Sequence, residues 1–242
     1  MDELQLFRGL DYTVNDALTI HHPTLEEICN IGERAYYQAV YTLCATPSDY
    51  KVFLYDELHI DWESVSELEF FPVLCRGVPP EISRFLFGEV RLEALYPETN
   101  PQNGDCILRC PGSALVLDSA LLSRITGYLR KLHGLEKRVD TAGNAHTRKY
   151  LLDKERRALQ RRSRDKAQSS VLLPLISSMV NCEQFKYNHE TVWHLPLYPF
   201  MDSVRRIQKL KSYNQIMQGV YSGTVDAKKL APETLYWMGT LE

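Results

Sequence analysis

A chain of 242 residues with 44% hydrophobic side chains can bury a sizeable core, which excludes a globally disordered protein. Its formal charge of −3, from 28 Lys and Arg against 31 Asp and Glu, excludes a polybasic, histone-like protein. The balance hides a segregation. Arg130 to Lys166 holds thirteen Lys and Arg against five Asp and Glu, an excess of +8, so the rest of the chain carries −11 (−3 − 8).

From the N-terminus, residues 4–22 carry short β-prone runs such as Leu18-Thr19-Ile20 that suit edge strands. Thr24 and Glu27 stand at capping-box spacing. Leu25, Ile28, Ile31, Ala35, Ala39 and Leu43 then recur at helical intervals and predict one amphipathic helix of about five turns. Thr46-Pro47 starts another helix through Leu54, and Asp61 or Ser64 a third, which Pro72 kinks or stops. Val90 to Leu92 and Cys106 to Leu108 flank a turn-rich stretch containing Asn103-Gly104, a hairpin with a long loop, and Ala114 to Leu117 suit a third strand. Asp118 caps a helix with its apolar stripe at Leu122, Ile125 and Leu129, and Gly134 closes it.

Residues 135–147 are polar and predict a linker. Beyond them Arg148 to Lys166 form a basic helix, Ser169-Ser170 caps the next, and Phe200 to Val220 keep a helical period over about six turns. The expected fold is mainly α, of the α+β kind, with a small antiparallel β-hairpin or meander insert around residues 89–117. The expected organisation is an N-terminal helical module, 1–134, and a C-terminal helical module, 148–242, that opens on the basic helix. The six cysteines, Cys29, Cys44, Cys75, Cys106, Cys110 and Cys182, show no paired pattern and suggest reduced core thiols. The acidic start, Met1-Asp2-Glu3, does not suit a secretory signal, and no apolar run approaches the roughly 20 residues of a bilayer span. The expected location is a cytoplasm, with no membrane partner.

Candidate chemistry is sparse. His189 and His194 are five apart, not the four that aligns imidazoles on a helix, and Cys106 and Cys110 match no zinc knuckle, so no metal and no cofactor are expected. Phosphate-binding glycine loops and a G-x-S-x-G elbow are missing, and with no catalytic residue singled out the expectation is a protein that is not an enzyme. The carboxylates Asp56, Glu57, Asp61, Glu63, Glu67 and Glu69 suit an acidic solvent face. Two surfaces remain. Lys154, Arg157, Arg161 and Arg164 share one helical face, which suits solvent, an acidic protein partner or nucleic acid, with Asp153 spaced to pair Arg157. Trp193, Tyr198, Tyr236 and Trp237 suit either core or an apolar partner groove.

Three stretches carry a likeness: Pro23-Thr24-Leu25-Glu26-Glu27-Ile28 with Gly32-Glu33; Ala45-Thr46-Pro47-Ser48-Asp49-Tyr50-Lys51 leading into Ile60-Asp61-Trp62-Glu63; and Phe200 to Gln208 with Gly219-Val220-Tyr221-Ser222-Gly223. Together they resemble tail-morphogenesis proteins of phages and prophages of Gram-positive bacteria, often described as tail assembly chaperones. That resemblance covers about the first 75 and last 70 residues and carries no active-site residues. It implies a helical protein that chaperones a tape-measure-like helix or meets tube subunits; the alternative function is a nucleic-acid-binding accessory protein using helix 148–166.

Overall fold

The computed structural model describes residues 3–101, 103–164 and 169–241, with side chains of 162–164 outside that description. Ten α-helices among these residues, α1 (Glu3–Phe7), α2 (Leu25–Ile31), α3 (Glu33–Cys44), α4 (Lys51–Asp56), α5 (Glu67–Cys75), α6 (Pro80–Phe87), α7 (Ser119–His133), α8 (Ala145–Arg164), α9 (Leu172–Val180) and α10 (Leu197–Tyr221), dominate the fold. Two small antiparallel sheets accompany them, β1 (Tyr12–Asn15) with β2 (Leu18–Ile20), and β3 (Tyr96–Thr99), β4 (Cys106–Arg109) and β5 (Val116–Leu117) in that order. The fold is therefore mainly α with a small β component, as expected.

Local signals explain most helix starts. Thr24 and Glu27 close a capping box at α2, Ser66 and Glu69 another at α5, and the Asp118 carboxylate accepts from the Leu121 amide at α7. At the far end of α7, Gly134 takes the left-handed conformation (φ 63°) that a side chain would disfavour.

Four expectations are corrected. The N-terminus opens on a helix before its β-hairpin. The single five-turn helix is two, because Gly32 at φ 93° breaks it into α2 and α3. Pro72 lies inside α5 without ending it. The helix continues because Phe70, Phe71, Leu74 and Cys75 are all buried along it, which offsets the hydrogen bond that Pro72 cannot donate. The first hairpin strand begins at Tyr96, not Val90. Leu92 is buried in a 3-10 turn, and Pro97 sits on the sheet edge where its missing N–H leaves no partner unpaired.

One hydrophobic core draws side chains from Leu6 through Val204, with Tyr36, Leu86, Leu129 and Phe200 fully enclosed. The chain ends of this core are stitched together. The Leu25 amide donates to the Leu195 carbonyl (3.0 Å), the Leu197 amide donates to the Pro23 carbonyl (2.8 Å), and buried His22 accepts from the Tyr198 amide at Nε2 (3.3 Å). A smaller cluster, Leu54, Trp62, Phe70, Leu74 and Leu152, joins α4, α5 and α8.

Candidate interaction surface

The second cluster is where the charge segregation resolves. Lys51, at the start of α4, has no exposed surface. Its Nζ donates to the Ser48 carbonyl (3.0 Å) and lies 2.5 Å from Asp140 Oδ2 and 3.4 Å from Glu155 Oε2. Arg138 completes the group, its Nε 2.8 Å from Asp140 and its terminal nitrogen 2.7 Å from Glu155. Burial would raise both carboxyls. The hydrogen bonds and charges of Lys51 and Arg138 outweigh it and hold Asp140 and Glu155 below the usual carboxylate range. The segment 138–142, without regular secondary structure, is thus held as a strap: Thr46 donates to the Arg138 carbonyl, Trp62 Nε1 to the Asp140 carbonyl (2.9 Å), and the Ala142 amide to Glu63 (3.0 Å).

Helix α8 lies against this strap and has two unlike faces. At about 100° per residue, Arg148, Leu152, Glu155 and Arg156 share the inner face. Leu152 is buried, Arg148 meets Asp61 (2.8 Å) and Glu63 (3.0 Å) and stacks over the Trp62 ring at 5.5 Å, and Arg156 meets Asp56 (2.6 Å). Three members of the expected acidic solvent face, Asp56, Asp61 and Glu63, are therefore the clamp on α8. Asp153 also pairs with Arg156 at 2.7 Å, where the spacing had suggested Arg157.

Much of the basic arm is spent internally. Arg130 is buried and caps the C-terminus of α3, its guanidinium donating to the Cys44 carbonyl at 2.6 and 3.2 Å. Lys131 pairs with Glu3 and Lys137 with Glu67. Lys149, Lys154, Arg157 and Arg161 are exposed with no ion pair among the described residues. Of the four residues singled out on this face, Lys154, Arg157 and Arg161 lie together on the outer side of α8, and the Arg164 side chain lies outside the described residues.

The four aromatic candidates fall in two places. Trp193 and Tyr198 pack against the main core where α10 begins. Tyr236 and Trp237 belong to a tail that turns at Gly223 (φ 75°) and returns along α10, where Arg206 donates to the carbonyls of Trp237 (2.9 Å) and Gly239 (2.7 Å) and Lys209 to that of Thr240 (2.9 Å). No ring contact joins the two pairs among the described residues. Beyond Val204 no described side chain is buried. Tyr213, Met217, Val220 and Trp237 are partly buried, and Tyr236 and Met238 expose 56% and 59% of their surface.

A cleft of about 1060 Å³ opens beside α3, lined by Tyr37, Tyr41, Tyr50 and Phe53 with Glu33 and Glu136 at its polar side. The Glu33 carboxylate is already engaged, accepting from Ser170 and from the amides of Val171 and Leu172, and so caps α9 from another helix. Among the described residues no three His, Cys, Asp or Glu side chains are arranged to hold a metal. Nor is any helix long and apolar enough to cross a membrane. The six thiols are free; Cys44, Cys75 and Cys110 are buried, whereas Cys29 and Cys106 are exposed, which corrects the expectation that all six are core residues. Burial pushes the Cys44 thiol up to about 12 despite Arg130 nearby, the opposite of an activated nucleophile.

Sequence periodicity found the outer face of α8 but not the clamp. Its partners lie 85 to 100 positions apart in the chain, and the one local sign was a buried-type Trp62 set among carboxylates.

The chain is mainly α, with a basic helix clamped on one face and exposed on the other, and a C-terminal tail that returns along α10. Residues 165–242, about a third of the chain, match the family model described as the YomV second domain, a family of the Bacillus phage and prophage type. The match takes in α9, α10 and the returning tail and fits a phage protein. Comparison with curated proteins and with solved structures returned no match.

Proposed function

We propose that this chain is a non-enzymatic phage tail assembly or tail-associated protein that works through protein–protein contacts in the bacterial cytoplasm and holds an apolar helical partner of the tape-measure kind. One observation carries this reading: beyond Val204, α10 carries Ile207, Tyr213, Met217 and Val220 at helical spacing and covers them only in part, and the tail that returns along it leaves Tyr236 and Met238 exposed. A helix whose apolar side chains are only partly covered offers a surface that another amphipathic helix can complete. At about 25 cal/mol per Å² of apolar surface, covering such a strip supplies the driving force, less the ordering cost of association. The phage-type family match falls on this same segment.

Co-expression of the full chain with a tape-measure helical segment tests it. The expected result is a soluble, co-purifying complex that Met217→Glu with Val220→Glu abolishes while the variant keeps its helical circular dichroism. A tape-measure segment that stays insoluble with the wild-type chain, or a complex indifferent to the two substitutions, overturns it.

A further inference from the structure

The outer face of α8 is the second unexplained surface. His146, Tyr150, Lys154, Arg157 and Arg161 follow one another at i, i+4, i+8, i+11 and i+15, which places them on one stripe about 22 Å long. All five are exposed, Tyr150 by 61%. A surface helix ordinarily mixes its charges, and α8 does contain carboxylates. Both are already paired: Glu155 is buried against Arg138 and Lys51, and Asp153, partly exposed, is taken by Arg156. Arg156 in turn is held by Asp56, so the inner arginines do not compete for an outside anion. Among the described residues the stripe therefore keeps its positive charge unopposed, with Lys149 exposed beside it.

The composition of the stripe distinguishes the kinds of anionic partner. A protein interface excludes water with an apolar centre, and this stripe has no aliphatic side chain. A phosphate backbone needs no such centre. It asks for a row of hydrogen-bond donors carrying positive charge, and each of the five residues presents a donor. Lys154, Arg157 and Arg161 rise by about 4.5 and 6 Å from one to the next, so each can meet a different phosphate. The net −11 outside residues 130–166 works against a diffuse, chain-wide attraction for phosphate. We infer that the outer face of α8 is a sequence-independent contact for the phosphate backbone of nucleic acid, separate from the apolar C-terminal surface.

The test is fluorescence anisotropy with a labelled 20-nucleotide DNA, single-stranded and duplex, and the full chain in 50 to 200 mM NaCl. Wild type is expected to bind with affinity that falls steeply with salt. Arg157→Glu with Arg161→Glu is expected to weaken binding at least about tenfold and to flatten the log–log salt slope by about two. Lys228→Glu with Lys229→Glu, an equal charge change on the exposed tail, is expected to alter affinity less than about threefold. All three proteins are expected to melt alike. Three results overturn the inference: no binding of either DNA at 50 mM salt, an equal loss in the tail variant, or poly-glutamate binding as tightly as DNA and lost in the same α8 variant, which marks an acidic protein partner.

Discussion

Arg156 on α8 grips Asp56 at the end of α4 through two nitrogens, with NH2 2.6 Å from one carboxylate oxygen and Nε 2.9 Å from the other. This fork-to-carboxylate geometry fixes the rotation of α8 and so decides which of its cations face outward. The hydrogen bond from Arg156 is the first cause that holds the Asp56 carboxyl below the usual range. In Arg156→Ala the Asp56 carboxyl is expected to titrate back toward the ordinary carboxylate value, read by NMR, and the amides of α8 to exchange faster. Because the folded carboxyl is the more acidic, the clamp contributes fully above the ordinary carboxylate range, and its contribution declines below that range until it is lost as the pH falls through the lowered folded value. An unchanged titration of Asp56 counts against the clamp.

Lys51 is enclosed among Asp140, Glu155 and the Ser48 carbonyl. Lys51→Met keeps the stem but leaves two carboxylates short of a cation, and is expected to cost about 3 kcal/mol in denaturant unfolding. Lys131→Met, which removes an ion pair to an exposed Glu3, is expected to cost less than about 1 kcal/mol. Equal losses would show that enclosure of the first cluster contributes nothing.

Two desolvated histidines, His22 buried and His133 partly buried, set an acid limit. Burial lowers His22 to about 4, opposed by Asp11, and lowers His133 to about 4, with the Leu129 carbonyl opposing and His22 adding to the shift. Their unfolded value is 6.5, so above that pH neither state gains protons; between 6.5 and 4 the unfolded chain takes up protons that the folded chain refuses. Stability is expected to fall across that window by up to about 1.4 kcal/mol per pH unit per histidine. His133→Gln keeps an acceptor for the Tyr36 hydroxyl, which donates to His133 at 2.6 Å, and removes one titration. It is expected to reduce the slope of unfolding free energy against pH by about one proton.

Among the described residues His59 is the non-glycine residue with a left-handed backbone, φ 56°, in the turn that closes α4, where the Ile60 amide donates to the Leu54 carbonyl at 2.9 Å. It is exposed, so its side chain contributes little packing. His59→Gly relieves the backbone strain and is expected to raise stability by about 0.5–1 kcal/mol in thermal unfolding. A loss of stability would show that the imidazole holds the turn.

Most helix starts were legible because they are local: Thr24 with Glu27 and Asp118 with Leu121 act within one turn of chain. The break at Gly32 was not, since glycine at a helical interval is compatible with a continuous helix until packing demands a positive φ. Periodicity placed Lys154, Arg157 and Arg161 on one face, and it could not say which of the neighbouring cations were already paired. The Asp56, Asp61 and Glu63 carboxylates looked like a solvent face for the same reason. An amphipathic pattern shows which side is wet, and an ion pair to a distant helix satisfies that pattern as well as water does.

Sequence alone determined the helical character of this chain, its small hairpin and the separation of its charges, because hydrophobic period, caps and composition operate over a few residues. Tertiary structure alone decided which charges survive at the surface. The pairing of Lys51 with Asp140 and of Arg156 with Asp56 joins positions about ninety to a hundred residues apart, and only folding brings them close enough for Coulomb attraction to outweigh hydration.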